Sequence, residues 1–169
     1  MIARMTQPDI PAFERSARTS LHYWAMLAVG LVFAWAGSVI DPATNCSADG
    51  ECAPWLVPIA QWMGILIALA GLGHLWANPR RGSRIDPHTG DLVWWQNRVA
   101  GGPGDEGRIH PSQIGRICLQ SDGDSDILHL YDLAGERQPY FDVDVIAWPY
   151  DRWIDRLVAQ WPHIRVETR

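Results

Sequence analysis

From Trp55 to Trp76 the chain runs without a formal charge, WLVPIAQWMGILIALAGLGHLW, broken only by polar Gln61 and His74. As an α-helix this run rises roughly 33 Å, enough to cross a bilayer core of about 30 Å. Asn78-Pro79-Arg80-Arg81-Gly82-Ser83-Arg84 follows, a helix stop joined to positive charge. A second uncharged run, Leu21 to Ile40, would be about 30 Å long as a helix. It opens on His22, Tyr23 and Trp24, rings suited to a headgroup layer, and ends at Asp41-Pro42. The expected architecture is a membrane α-helical hairpin over residues 21–76, with spans 21–40 and 55–76 and a connecting loop 41–54.

Charge orients such a hairpin. Arg4, Arg15 and Arg18 precede the first span, and Arg80, Arg81 and Arg84 follow the second. The loop carries Asp41, Asp49 and Glu51 and no Arg. The positive-inside bias then puts both termini in the cytoplasm and the loop outside. Cys46 and Cys52 flank a short turn (CSADGEC) on that oxidising side, where a disulfide is expected; two free thiols are the alternative. Arg80, Arg81 and Arg84 fall at the membrane surface, each attracted to anionic headgroups by about 1 kcal/mol.

Lipid gives two helices no hydrophobic drive to associate, so close approach needs small side chains. Gly30, Ala34 and Gly37 on the first span, and Ala60, Gly64, Ala68 and Gly71 on the second, form such stripes at spacings of three and four. They predict an antiparallel internal contact; the same stripe would also serve docking on another membrane protein.

Beyond the second span the composition changes. Residues 77–169 hold 11 Arg against 14 Asp and Glu, an acidic balance that argues against general nucleic-acid binding. The pattern predicts a cytoplasmic α+β domain over residues 77–169. Residues 82–99 read as a β-hairpin about the turn Pro87-His88-Thr89-Gly90, and residues 100–107 as a flexible Gly-rich loop. Strands follow at Ile114–Gln120, Ile127–Asp132 and Tyr140–Ile146, with short turns that imply an antiparallel meander or small barrel. Tyr150, Trp153, Ile154, Leu157, Val158 and Trp161 recur at helical spacing, an amphipathic helix stopped by Pro162. HIRVE, from His163, adds a short extended segment. Cys118 reads as a buried, reduced side chain in its strand. Residues 1–20, with two prolines, mixed charge and no sustained periodicity, read as a mobile or surface-lying cytoplasmic arm.

The strand series with GRICLQ, ILHLYDL and PYFDVDVI, followed by PYDRWIDRLVAQWP, resembles the pleckstrin-homology-like domains of bacterial membrane proteins. The resemblance covers roughly residues 82–168 and implies a binding or scaffolding module. Members that bind phosphoinositides use a basic pocket near the first hairpin, where this chain places only Arg84 and Arg98 beside Asp86 and Asp91.

Tests for chemistry are negative. DGDSD starts like a calcium loop, but Ile127 stands where Gly is required and Leu133 where the bidentate acid belongs. No phosphate-loop pattern or nucleophile elbow occurs. His22 and His74 lie at matching depth, where facing imidazoles would ligate a haem or metal ion; interfacial histidines touching headgroups or carbonyls are the plainer reading. No cofactor is expected.

The expectation is a non-catalytic inner-membrane protein of a bacterium, an adaptor or accessory subunit of a larger complex. Its partners would be membrane lipids and either another membrane protein or further copies of itself. The alternative is a ligand-gated effector that senses a small anionic molecule and oligomerises in the membrane. A haem-carrying redox subunit is a third reading.

Overall fold

The computed structural model describes residues 10–122 and 125–168. Arg4, counted above for orientation, and the turn tip Gly123-Asp124 lie outside the described residues. The chain divides into two compact units, residues 16–78 and a second formed by residues up to 15 with those from 79 onward.

The first unit is the hairpin. Helix α1 spans Leu21–Val39 and helix α2 spans Leu56–Ala77. Both lack formally charged Asp, Glu, Lys or Arg side chains, and each is long enough and apolar enough to cross a membrane by composition. Between them Cys46 and Cys52 are disulfide-bonded. The Asp41 carboxylate accepts from the Ala43 N–H at 3.0 Å, turning the chain as α1 ends. At its far end α2 stops on Asn78, which takes the left-handed conformation (φ 47°) and donates its N–H to the His74 carbonyl. Asn tolerates that conformation better than most residues.

The second unit is an α+β fold with two sheets. The first has the order β1-β2-β3-β4, from β1 (Phe13–Ser16), β2 (Arg80–Ile85), β3 (Leu92–Arg98) and β4 (Asp105–Ile109). Strands β2 and β3 form the expected hairpin, antiparallel with Ser83 opposite Trp94. Its turn is closed by the Asp86 carboxylate, which accepts from the His88 N–H at 2.9 Å. The second sheet has the order β6-β5-β7, from β5 (Ile114–Asp122), β6 (Ser125–Asp132) and β7 (Arg165–Thr168). Strand β7 runs parallel to β5, so this sheet is mixed. Helix α3 (Tyr150–Gln160) turns Trp153, Ile154 and Leu157 into the core, beside Trp94, Phe141, Ile117 and Leu130. Cys118 is buried and reduced.

Four features depart from expectation. First, the described strands fall into two sheets, one of them mixed, and form neither a single antiparallel meander nor a closed barrel. Second, part of the arm is built into the fold: β1 joins the first sheet beside β2, and Ile10 is in the core. Their contact is close enough that a Cβ on Gly82 would run into the Phe13 carbonyl. Third, residues 105–107 of the expected loop belong to β4. They pair with β3 where Gly107, opposite Trp94, leaves room for the indole.

Fourth, residues 140–146 are not a strand. Phe141 and Val145 are buried as the alternation requires. The backbone, however, bonds to side chains instead of a neighbouring strand. The Pro139 carbonyl accepts from Trp94 Nε1 at 2.9 Å, the Tyr140 carbonyl from Gln96 Nε2 at 2.9 Å, and the Val145 carbonyl from Ser83 Oγ at 2.7 Å. Tyr140 has φ 59° and residues 143–145 form a 3₁₀ turn, so no ladder can propagate through the segment.

Candidate functional site

The seam between α1 and α2 gathers the small residues. A Cβ added to Gly64 would lie 2.5 Å from the Ala34 nitrogen and 2.8 Å from the Gly30 carbonyl oxygen. One added to Gly30 would meet the backbone of Ala68 and, at 2.7 Å, the Gly64 carbonyl. Gly71 faces Leu27 and Tyr23 across the seam, and Gly37 faces Gln61. Each step along α1 is matched by an equal step back along α2, the register of an antiparallel pair. Gly30, Gly64, Ala68 and Gly71 are buried here; Ala34, Gly37 and Ala60 are half-buried. Backbone against backbone at these distances leaves no room for larger side chains, which is how helices associate inside lipid.

The outer surface of the hairpin is the reverse. Val32, Phe33, Trp35, Trp62, Leu66 and Leu69 are all half exposed or more. Trp55 and Trp76, 59% and 83% exposed, bracket α2. At 1.5 Å per residue they stand about 31 Å apart.

At the Arg-bearing end one residue has a role that its position in the sequence does not announce. Arg18 donates from Nε to the Leu75 carbonyl at 3.0 Å, and its backbone N–H donates to Asn78 Oδ1 at 3.1 Å. Its own carbonyl accepts from Trp24 Nε1 at 3.0 Å. The last carbonyls of a helix have no intrahelical donor and carry partial negative charge, so a guanidinium there is favourable.

His22 and His74, the residues considered for a haem or metal ion, share a ring neighbour. Tyr23 stacks edge-on against both, with ring centroids 5.5 Å from His22 and 4.8 Å from His74. No group of three or more His, Cys, Asp or Glu side chains that could hold a metal occurs among the described residues.

The three Arg expected at the membrane surface all lie on β2 and all have partners. Arg80 pairs with Glu14 at 3.5 Å, Arg81 with Asp144, and Arg84 lies 6.0 Å from the Trp95 ring. Arg98 covers the same indole at 4.6 Å and pairs with Glu106. In the β2–β3 turn, the His88 N–H bonded to Asp86, followed by the Thr89 N–H, holds that carboxyl below the usual carboxylate range. Burial, reinforced by nearby carboxylates, pushes the Tyr150 phenol above its ordinary value.

With this geometry in view, comparison identifies no relative. No family model, curated protein or solved structure matches the chain. Function must therefore be argued from the residues themselves.

Proposed function

We propose that the chain is an integral protein of a bacterial inner membrane, with both termini cytoplasmic and the disulfide-bonded loop outside. Its α+β unit acts as an adaptor or accessory subunit for a larger membrane complex. The observation that carries the reading is connectivity. The hairpin is inserted between β1 and β2, neighbouring strands of one sheet, so the chain leaves and re-enters the same folded unit. Two spans that start and end in one unit return the chain to the side it left.

The membrane assignment is supported by the exterior of the helices. Only 6% of the most apolar window of α1 and 17% of that of α2 is buried, whereas a core helix of a water-soluble fold is mostly buried. Tryptophans at both ends of α2 suit the two interfaces, and the distribution of Arg supplies the direction. The pleckstrin-homology-like reading of the soluble unit belongs to the same proposal. It is supported by the strand series followed by an amphipathic helix, and it does not account for the parallel strand β7.

The soluble unit would present its surfaces at a fixed place on the cytoplasmic face, as an adaptor requires. Gentle extraction followed by native mass analysis tests this. The expected result is the chain bound to another membrane protein or to further copies of itself. A strictly monomeric species with no co-purifying protein would overturn it.

A further inference from the structure

Beside α3 the second unit folds a cleft of about 190 Å³, walled by Pro11, Trp148, Pro149, Arg152, Trp153 and Arg156. Arg152 and Arg156 are one helical turn apart and both exposed, so their guanidinium groups share a face. Among the described residues neither forms an ion pair. The carboxylates next to them on the helix, Asp151 and Asp155, do not line the cleft. Trp148 is 79% exposed, a large apolar ring left in solvent at the rim. Trp153 is 3% exposed, and its indole N–H has no hydrogen-bond partner among the described residues.

Each of these is costly or neutral for the fold alone. Together they supply both halves of a recognition site. Guanidinium forks match the oxygens of a phosphate, and two of them balance a group that carries nearly two negative charges at neutral pH. An exposed indole offers a face on which a flat ring can stack. We propose that this cleft binds a phosphomonoester with a planar ring, the phosphate held by Arg152 and Arg156 and the ring lying on Trp148. A concave site walled by Pro11 and the stretch from Ala147 to Arg156 favours a small ligand over a bilayer surface, which needs no cleft. The inference does not depend on what the hairpin binds.

The test is calorimetric titration of the full chain, in nanodiscs of zwitterionic lipid, with phenyl phosphate, adenosine monophosphate and inorganic phosphate. The two organic phosphates should saturate a single site, with inorganic phosphate at least ten-fold weaker. The double substitution Arg152→Gln and Arg156→Gln should weaken all three at least ten-fold. Trp148→Ala should bring the organic phosphates down to the inorganic level. These side chains are exposed, so unchanged melting curves would show that the variants fold. Failure of every probe to saturate, or saturation unaffected by the double substitution, would overturn the proposal. So would loss of probe binding when anionic phospholipid replaces the zwitterionic lipid, because the site would then belong to a headgroup.

Discussion

Arg18 Nε donates to the carbonyl of Leu75 at 3.0 Å, joining the approach to the first long helix to the last turn of the second. Fifty-seven residues apart in sequence, the two groups meet because the helices pair antiparallel. Removing the guanidinium leaves a helix end without its cation. Arg18→Ala should destabilise the hairpin by about 1–2 kcal/mol, and Arg18→Lys by less, since charge is kept while the fork is lost. Thermal unfolding of the full chain in detergent, followed by helical circular dichroism, checks the order of the three proteins.

The seam predicts a larger effect. A Leu at Gly64 would have to displace the backbone of α1, since even a Cβ lies 2.5 Å from the Ala34 nitrogen. Gly64→Leu should cost about 1–3 kcal/mol or separate the helices. Leu at Gly73, where a Cβ meets nothing within 4 Å, should be tolerated. The readout is thermal unfolding of the full chain in detergent, followed by helical circular dichroism. Gly64→Leu should lower the midpoint, and Gly73→Leu should leave it in place.

In the α+β unit, Ser83 is 1% exposed and its hydroxyl is the donor to the Val145 carbonyl. Ser83→Ala leaves that buried carbonyl without this donor and should cost about 1–3 kcal/mol. Denaturant titration monitored by tryptophan fluorescence measures it.

Asp86 carries a pH signature. Its carboxyl is held below the unfolded value of 3.8 chiefly by the His88 N–H. A lowered folded value adds stability that is complete above the unfolded value and is lost as pH falls through the folded one. Asp86→Asn should therefore be less stable than the parent at neutral pH, and the gap should close as the pH drops below 3.8. Melting temperatures of both proteins across the acid range check the sign.

How much of this was legible in the residues depends on whether local pattern or distant pairing decides the element. The long helices are written in uninterrupted apolar runs, and the β2–β3 hairpin in the turn residues from Asp86 to Gly90. α3 is written in a clear helical period. Strand β4 is not, because Asp105-Glu106-Gly107-Arg108 has no apolar alternation and is held by pairing with β3. The segment from Tyr140 to Ile146 misleads for the opposite reason: its apolar and acidic residues alternate, yet the Tyr140 and Val145 carbonyls are taken by the side chains of Gln96 and Ser83. Strand β1 is short, bears Glu14 and Arg15, and exists only because β2 returns beside it after the hairpin. At the candidate seam the small-residue spacing was visible in sequence, whereas Arg18 at the end of α2 required the register of the pair.

The most direct measurement is the sidedness of the loop. In a chain with Cys46, Cys52 and Cys118 replaced by Ala, single cysteines would be placed at Ala48 in the loop and at His163 in the α+β unit, both exposed positions. Each variant would then be treated with a membrane-impermeant maleimide in intact spheroplasts. Two spans with cytoplasmic ends predict that the Ala48 position is labelled at once and the His163 position only after permeabilisation. Labelling of both positions from the same side would contradict the account.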